Sequence, residues 1–461
     1  MAKKATVHFI CSDCGANHTK WAGQCSECSA WNTIVEFKES ASRAGAVSAK
    51  ARGYSGSKES VSKLSDIKPE DSPRFSTNNV EFDRVLGGGI VPGSVILLAG
   101  TPGAGKSTLT TQVLCEVGNQ LNCLLVSAEE SANQISRRAI RLNLKTDELN
   151  VAIETDVLAI LSMISETQAK FVVIDSLQAM FHPDVQGAPG GVGQLRECMQ
   201  VLTQHAKQHD VAMIIICHTT KDGSVAGPRV VEHIGDVMLM IEVVAASRFR
   251  EIRAAKNRFG STSELGLLAM MPDNGYLKAV TNPSAIFLDR SQDPKPGSMV
   301  ASLWEGSRSL LVEIQALVVD SHQGNPRRLA VGIDQNRLSM LVAVLVRHAD
   351  LAMYDQELYV NLVGGLRSTD PSTDLPVVLA MVSSLRDRAI PQNWVAFGEL
   401  GLSGDVRSVP SGLERIKQAS QQGFSHCICP KMNMPKKQLN SIQVHPVETL
   451  QEAITFLEEI D

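Results

Sequence analysis

Two pairs of cysteines, Cys11-Ser-Asp-Cys14 and Cys25-Ser-Glu-Cys28, stand ten residues apart near the start of the chain. Each CxxC can wrap a knuckle whose thiolates point at one metal ion, and two knuckles complete the tetrahedral sulfur shell that Zn²⁺ prefers. Gly15 and Gly23 stand where such knuckles turn tightly. Four sulfur ligands leave no coordination position open, so this zinc would organise a small hairpin and catalyse nothing. Two redox dithiols are the other reading, and they need an oxidising role that nothing else in the sequence supplies. His18 could replace one cysteine or face solvent, and Trp21 and Trp31 could pack on the hairpin or be offered to a partner.

Further along, Gly100, Thr101, Pro102, Gly103, Ala104, Gly105, Lys106 and Ser107, followed by Thr108, match the phosphate-binding loop GxxxxGK[ST]. The glycines let successive backbone N–H groups curl round the phosphates of ATP at a helix N-terminus. Lys106 then reaches the β and γ phosphates, and the Ser107 hydroxyl is offered to Mg²⁺. Asp175 ends the apolar run Phe171-Val-Val-Ile, which places its carboxylate at a strand C-terminus as a second Mg²⁺ group, acting through water. Glu129 and Glu130 end another run. Either could polarise the attacking water, or the pair could cap a helix expected over Ser131 to Leu142. His218 ends the run VAMIIICH as a γ-phosphate sensor or as an ordinary histidine at the edge of the core.

These groups need a frame, and the apolar runs supply one. Val95 to Ala99, Cys123 to Ser127, Phe171 to Ile174, Val211 to Cys217 and Val237 to Val243 are short, almost wholly apolar, and separated by helical lengths. That alternation describes a buried parallel sheet with crossover helices, so the fold class is α/β. At 461 residues the chain is too long for one ordinary core. We expect a C4 zinc ribbon over 1–36, a flexible Ala/Ser/Gly/Lys-rich linker over 37–63, an ATPase domain over 64–283 and a C-terminal α+β domain over 284–461. In the last, Leu310 to Val319 reads as a strand and Leu375 to Arg388 as a helix.

Charge argues against a dedicated nucleic-acid coat, because the net value is −5. Residues 1–63 nevertheless carry nine Lys and Arg against five Asp and Glu, so the excess acidity lies beyond them. The six cysteines outside the two pairs, Cys115, Cys123, Cys198, Cys217, Cys427 and Cys429, read as small buried apolar residues in a reducing cytosol. No apolar run approaches a membrane span, and MAKKATVHFICSDC has no apolar signal core, so a cytoplasmic protein without a membrane partner is expected.

The CxxC set, the loop GTPGAGKST and the pentapeptide Lys256-Asn257-Arg258-Phe259-Gly260 together resemble the bacterial RadA (Sms) family of DNA repair proteins, over the whole chain. The resemblance implies a RecA-like core, and a motor that drives branch migration of recombination intermediates together with the RecA recombinase. It also implies a homo-oligomeric ring, as a hexamer, in which Lys256 and Arg258 reach a neighbour's nucleotide. A solvated basic patch is the plain alternative for those two residues. In such rings the loops Gln186 to Gly193 and Thr219 to Arg229 point into the channel, and Lys221 and Arg229 could track a single-stranded DNA backbone. Neither loop carries an aromatic residue.

The C-terminal segments 364–388 and 397–412 resemble the proteolytic domain of Lon proteases, with Ser372 near the nucleophile position. Where a catalytic lysine is due, the sequence reads Ser411-Gly-Leu-Glu-Arg415, and the first lysine is Lys417. A serine without a base is inert, so this domain is read as a scaffold for ring assembly that could also bind DNA, with Arg327, Arg328, Arg337 and Arg347 as candidate surface charges or ordinary solvated arginines. The rival functions are an ATP-dependent protease and a RecA-like signalling ATPase.

Overall fold

The computed structural model describes residues 7–38 apart from 12–16, 28, 30 and 32; 74–284 apart from 219–228, 245–247 and 283; 288; 293–321; 326–437; 439; and 441–459. Cys14, Cys28, Lys221, the side chain of Arg229 and the linker from residue 39 onward lie outside the described residues. Chain contacts divide the protein into two units, Met1–Val243 with Ser247–Val280, and Thr281–Asp461 with Val244–Ala246.

The first unit begins with a three-stranded antiparallel ribbon in which β1 (Val7–Cys11) pairs with β2 (Asn17–His18) on one side and β3 (Ile34–Lys38) on the other. The last strand runs two residues past the boundary expected at residue 36. Cys11, Cys25 and Ile34 form its small buried cluster.

After helix α1 (Val80–Leu86) comes a nine-stranded sheet. Its parallel part is made of β4 (Val95–Gly100), β5 (Cys123–Ser127), β6 (Leu149–Ile153), β7 (Phe171–Asp175), β8 (Ala212–His218) and β9 (Val237–Val243), in the order β9-β4-β8-β7-β5-β6. Side chains along a strand alternate faces, and both faces are covered. Ile96 and Leu98 enter one core while Val95, Leu97 and Ala99 enter the other. Strands buried on both sides must be apolar throughout, which is why the sequence shows runs here and no alternation. The exception is β6, a half-exposed edge strand whose LNVAI carries no such run. Helices α2 (Lys106–Val117), α3 (Ala132–Arg141), α4 (Val157–Glu166), α5 (Val192–His209) and α6 (Arg229–Ile234) connect the strands. The sheet then continues antiparallel through β10 (Phe249–Asn257), β11 (Leu265–Met270) and β12 (Leu277–Ala279).

The second unit holds a seven-stranded mixed sheet ordered β15-β16-β14-β13-β17-β20-β21. Its strands are β13 (Ser298–Glu305), β14 (Arg308–Asp320), β15 (Arg328–Val331), β16 (Gln356–Leu362), β17 (Trp394–Ala396), β20 (His426–Pro430) and β21 (Gln443–Val447). Between β17 and β20 lie a short hairpin, β18 (Glu399–Leu400) and β19 (Val406–Arg407), and helix Gly412–Gln421. The helix Asp374–Leu385, nearly all buried, packs on β13 and β14 and follows directly on Ser372.

Ser372 itself is fully buried, and what faces it is Arg415, not a lysine. The guanidinium donates to the Ser372 hydroxyl at 2.8 Å, to the Ser302 carbonyl, and to Asp370 at 2.9 Å, with the Trp304 and Phe397 rings within 6 Å. Burial alone would raise the Asp370 carboxyl, but the Arg415 charge and hydrogen bonds from Ser372 and Arg415 outweigh it and hold the group below its usual range. Arginine does not lose its proton in proteins, so it cannot relieve Ser372 of one. Of the arginines expected at the surface, Arg327 and Arg347 are exposed, whereas Arg337 is clamped on buried Asp374 and is structural.

Replacing Arg415 by Met should leave Asp370 as an uncompensated, largely buried charge and cost the second unit about 3–5 kcal/mol, read by denaturant unfolding. Because the Asp370 pKa is depressed, its contribution is complete above the ordinary carboxylate range and is lost as the pH falls through the depressed value. Ser372→Ala should leave ATP turnover unchanged, and neither protein should cleave casein.

Candidate nucleotide site

The phosphate loop leaves β4 at Gly100, where a side chain is sterically barred: a Cβ there would lie 2.3 Å from the Ile241 carbonyl oxygen of the neighbouring strand. Gly105 caps helix α2 with φ +103°, a left-handed conformation that disfavours other residues. Lys106 is buried and folds back to donate to the Gly100 carbonyl at 2.6 Å and the Thr101 carbonyl at 3.2 Å. Burial lowers its pKa, and the nearby Asp175 charge opposes that. Asp175, at the end of β7, takes a hydrogen bond from Ser107, so the two residues expected at Mg²⁺ are brought together. Burial raises its pKa, Ser107 draws it down again, and the charges of Glu130 and Glu129 push it up further. A buried carboxylate beside two other acids and a hydroxyl is a fit donor set for a hard divalent cation.

The two glutamates separate. Glu130 is ion-paired with Arg138 of α3, and its backbone is tied to the Ser127 hydroxyl. Glu129 instead turns toward the ends of β7 and β8, where it accepts from the Ser176 hydroxyl and lies 3.2 Å from His218 Nε2. Neither caps α3, because Ser131 does so in a capping box with Gln134. His218 thus bonds to a carboxylate of the site and is not a bystander of the core.

Sequence reading passed over Arg250. It lies buried on β10, and its Nε donates to the Ala104 carbonyl at the turn of the phosphate loop, 3.1 Å away. Nothing in the local pattern distinguishes it from Arg248 or Arg253, since only the sheet register brings it to the loop.

Lys256 and Arg258 lie elsewhere. Lys256 caps the C-terminus of α6, donating to the carbonyls of Glu232, His233 and Gly235. Arg258, half-exposed, pairs with Asp236 at 2.9 Å, and Lys207 reaches the same carboxylate at 3.1 Å. Asp236 also accepts from the Val95 amide, at the first residue of β4, whereas the phosphate loop leaves its last. At about 3.3 Å per residue, the length of β4 alone separates them by roughly 17 Å.

In the ribbon, Cys11 and Cys25 share one buried cluster, Cys25 Sγ lies 3.3 Å from His18 Nε2, and Cys11 Sγ bonds to the Thr33 hydroxyl. Soft thiol donors with an imidazole beside them fit Zn²⁺. His18 therefore faces a cysteine, and Trp21 and Trp31 are exposed. The six scattered cysteines are all buried.

Since the Asp175 pKa is raised, Mg²⁺-dependent nucleotide binding should weaken on acidification at a pH above the ordinary carboxylate range. Asp175→Asn should abolish that dependence in a fluorescent-ADP titration against pH, and Lys106→Ala should reduce turnover by about 10²-fold or more. Cys25→Ala should release about one zinc per chain, measured by metal analysis, with nucleotide affinity retained.

Three family models match: a "Rubredoxin metal binding domain" over residues 9–36, an "AAA domain" over 81–224, and "Subunit ChlI of Mg-chelatase" over 319–433. Among curated proteins the chain is 51% identical to DNA repair protein RadA of Escherichia coli K12, over 100% of both chains. It is 42% identical to that of Bacillus subtilis 168, over 94% of both. Among solved structures it resembles a KaiC-like protein of Pyrococcus horikoshii at 18% identity and a TM-score of 0.39, over 45% of this chain and 99% of that one. No helix among the described residues is long and apolar enough to cross a membrane. The chain belongs to the RadA family of DNA repair proteins and carries an ATPase domain that follows a metal-binding ribbon.

Proposed function

We propose that this protein is a cytoplasmic, DNA-stimulated ATPase that works as a closed ring, as a hexamer. It translocates on single-stranded DNA and promotes branch migration of recombination intermediates together with the RecA recombinase. The observation that carries the reading is the separation of Lys256 and Arg258 from their own phosphate loop along β4. Lys207, Lys256 and Arg258 gather around Asp236, leaving an excess of positive charge at an edge that cannot serve this chain's nucleotide. A second copy's triphosphate would meet that charge, and hydrolysis then depends on assembly, because phosphoryl transfer needs cations at the γ-phosphate.

Within one subunit, Lys106 holds the β and γ phosphates, Ser107 and Asp175 hold Mg²⁺, and Glu129 polarises the attacking water. Glu130 is a structural acid bound to Arg138. DNA control is supported by the contact from His218 to Glu129, since His218 is the last residue of β8 and the loop with Lys221 follows it directly. DNA held by Lys221 and Arg229 would pull on the residue that engages the catalytic carboxylate. The C-terminal unit serves as scaffold, Arg415 having taken the position from which a base would act.

Arg258→Ala and Lys106→Ala should each be inactive alone, yet mixing them should restore some ATPase activity. A Lys106→Ala subunit still offers its arginine to an Arg258→Ala neighbour with an intact loop. In randomly mixed rings about a quarter of the interfaces are whole, by counting head-to-tail contacts. No recovery when subunit exchange is proven would place Arg258 in its own chain or require every site of the ring to be whole. Titrating wild type with Arg258→Ala separates these, a linear fall marking a residue that acts in its own chain.

Neutralising Lys221 and Arg229 should weaken single-stranded DNA binding and lower its salt slope by roughly 0.7 per lost phosphate contact. Basal ATPase should remain and its DNA stimulation should go. An unchanged slope would move the DNA path elsewhere.

A further inference from the structure

The antiparallel strands that extend the sheet form a wall against the phosphate loop, within the same unit. A Cβ on Gly105 would lie 3.0 Å from a Leu277 methyl group of β12 and 3.6 Å from the Met270 methyl group of β11. Leu277 is tied in turn to α2, its amide donating to the Gln112 side chain at 3.0 Å and its carbonyl accepting from it at 3.2 Å. Arg250 adds a polar contact from β10. Its backbone is paired on both sides, with Val243 of β9 and Leu268 of β11, so the sheet fixes where the side chain starts. Only 7% exposed, it donates from Nε to the Ala104 carbonyl at 3.1 Å, and from its two terminal nitrogens to the Phe249 carbonyl at 3.0 Å and the Met270 sulfur at 3.5 Å. A guanidinium keeps its proton, and burying one is costly unless its donors are engaged. Here the Nε donor is engaged on the loop that should hold phosphate.

The Ala104 carbonyl belongs to the same peptide as the Gly105 amide. A trans peptide is planar and its C=O and N–H point in opposite directions, so whatever fixes the carbonyl also fixes the amide. Gly105, at φ +103°, is where such a peptide most needs fixing, because glycine lets it rotate at little steric cost. The Ala104 amide is already bonded to the Thr101 carbonyl at 3.1 Å. Phosphate loops act by turning backbone amides toward the anion. We propose that Arg250 is a positioning residue for ATP, whose bond to the Ala104 carbonyl keeps the Gly105 amide turned away from β10 and toward the phosphates. It acts through the backbone of the loop, from a strand more than a hundred residues downstream. The role lies within one subunit and goes beyond the proposed function, on which it rests only in taking this loop as the phosphate site.

The test uses the full-length protein, with fluorescent ADP and Mg²⁺ to measure affinity and steady-state ATP hydrolysis to measure KM and kcat. Arg250→Met removes the donors and keeps an unbranched apolar stem. It should weaken ADP binding and raise KM by about ten-fold or more, as expected when an aligned bond to a charged group is lost. The kcat should fall less than KM rises, because the amide holds the β-phosphate alike before and during transfer. Arg250→Lys keeps the charge but puts a methylene group where Nε stands, and should show most of the same loss. A purely structural role behaves otherwise: fewer molecules fold, kcat drops in proportion, and the Kd and KM of the folded ones are unchanged. Unchanged Kd in Arg250→Met therefore overturns the proposal whatever happens to kcat. Wild-type affinity in Arg250→Lys would show that charge alone matters and overturns it as well, and failure of both variants to fold assigns the residue to the core and does the same. Each of these leaves the proposed function standing, whereas a wild type that binds no ADP refutes the phosphate site and both readings with it.

Discussion

Asp236 is almost wholly buried and accepts from three donors, the Val95 amide, Lys207 and Arg258. Its carboxylate ties the first residue of the central strand to two cations and draws the KNRFG segment against the start of β4. Without it the Val95 amide would be a buried donor lacking a partner, and like charges would crowd an edge of low dielectric. The polarity of the parallel sheet does the rest. Carboxyl ends of β4, β5, β7 and β8 collect the phosphate loop, Glu129, Asp175 and His218, and the amino end of β4, with Asp236 just before β9, collects the cations. On the proposed reading, a chain built this way has both halves of a hydrolytic site and cannot bring them together by itself.

The parallel strands were legible because burial on both faces forces apolar runs, and Phe171 to Asp175 could be read with its carboxylate in place. The phosphate loop was legible for a different reason, since its glycines are dictated by backbone geometry close at hand. What escaped was long-range. Arg250 meets Ala104 across 146 residues, and Asp236 meets Val95 across 141, so no local pattern could reveal either contact. The edge strand β6 escaped because a half-exposed strand needs no apolar run. Telling Glu129 from Glu130 required Arg138, in the helix that follows, which binds the second, while the first turns to Ser176 and His218.

The second unit shows how little separates a catalytic arrangement from a structural one. Ser372 follows a tight turn at the start of a buried helix and has a charged partner at hydrogen-bond distance, as a nucleophile would. That partner is a guanidinium. It holds its proton, satisfies the Ser302 carbonyl and neutralises Asp370, so the polar cluster is closed on itself. A buried network of this kind is costly to break, and its one carboxylate, Asp370, is held below its usual range by Arg415 and is a weak base, which suits a scaffold.

On the proposed reading, hydrolysis is restrained twice, by means that operate at different distances. Glu129 is held by Ser176 and His218, so its readiness to act on water depends on where the end of β8 sits, a matter of a few ångströms set by the loop that follows. Arg258 is held by Asp236 at the other end of the sheet and becomes relevant only when another subunit's phosphates approach. Neither restraint can substitute for the other, because one controls the attacking water and the other the charge on the leaving side. A ring subunit that has met a neighbour but no DNA is therefore expected to hydrolyse ATP only at its basal rate, one that has met DNA but no neighbour to keep its ATP, and stimulated turnover is confined to assembled rings engaged on a strand.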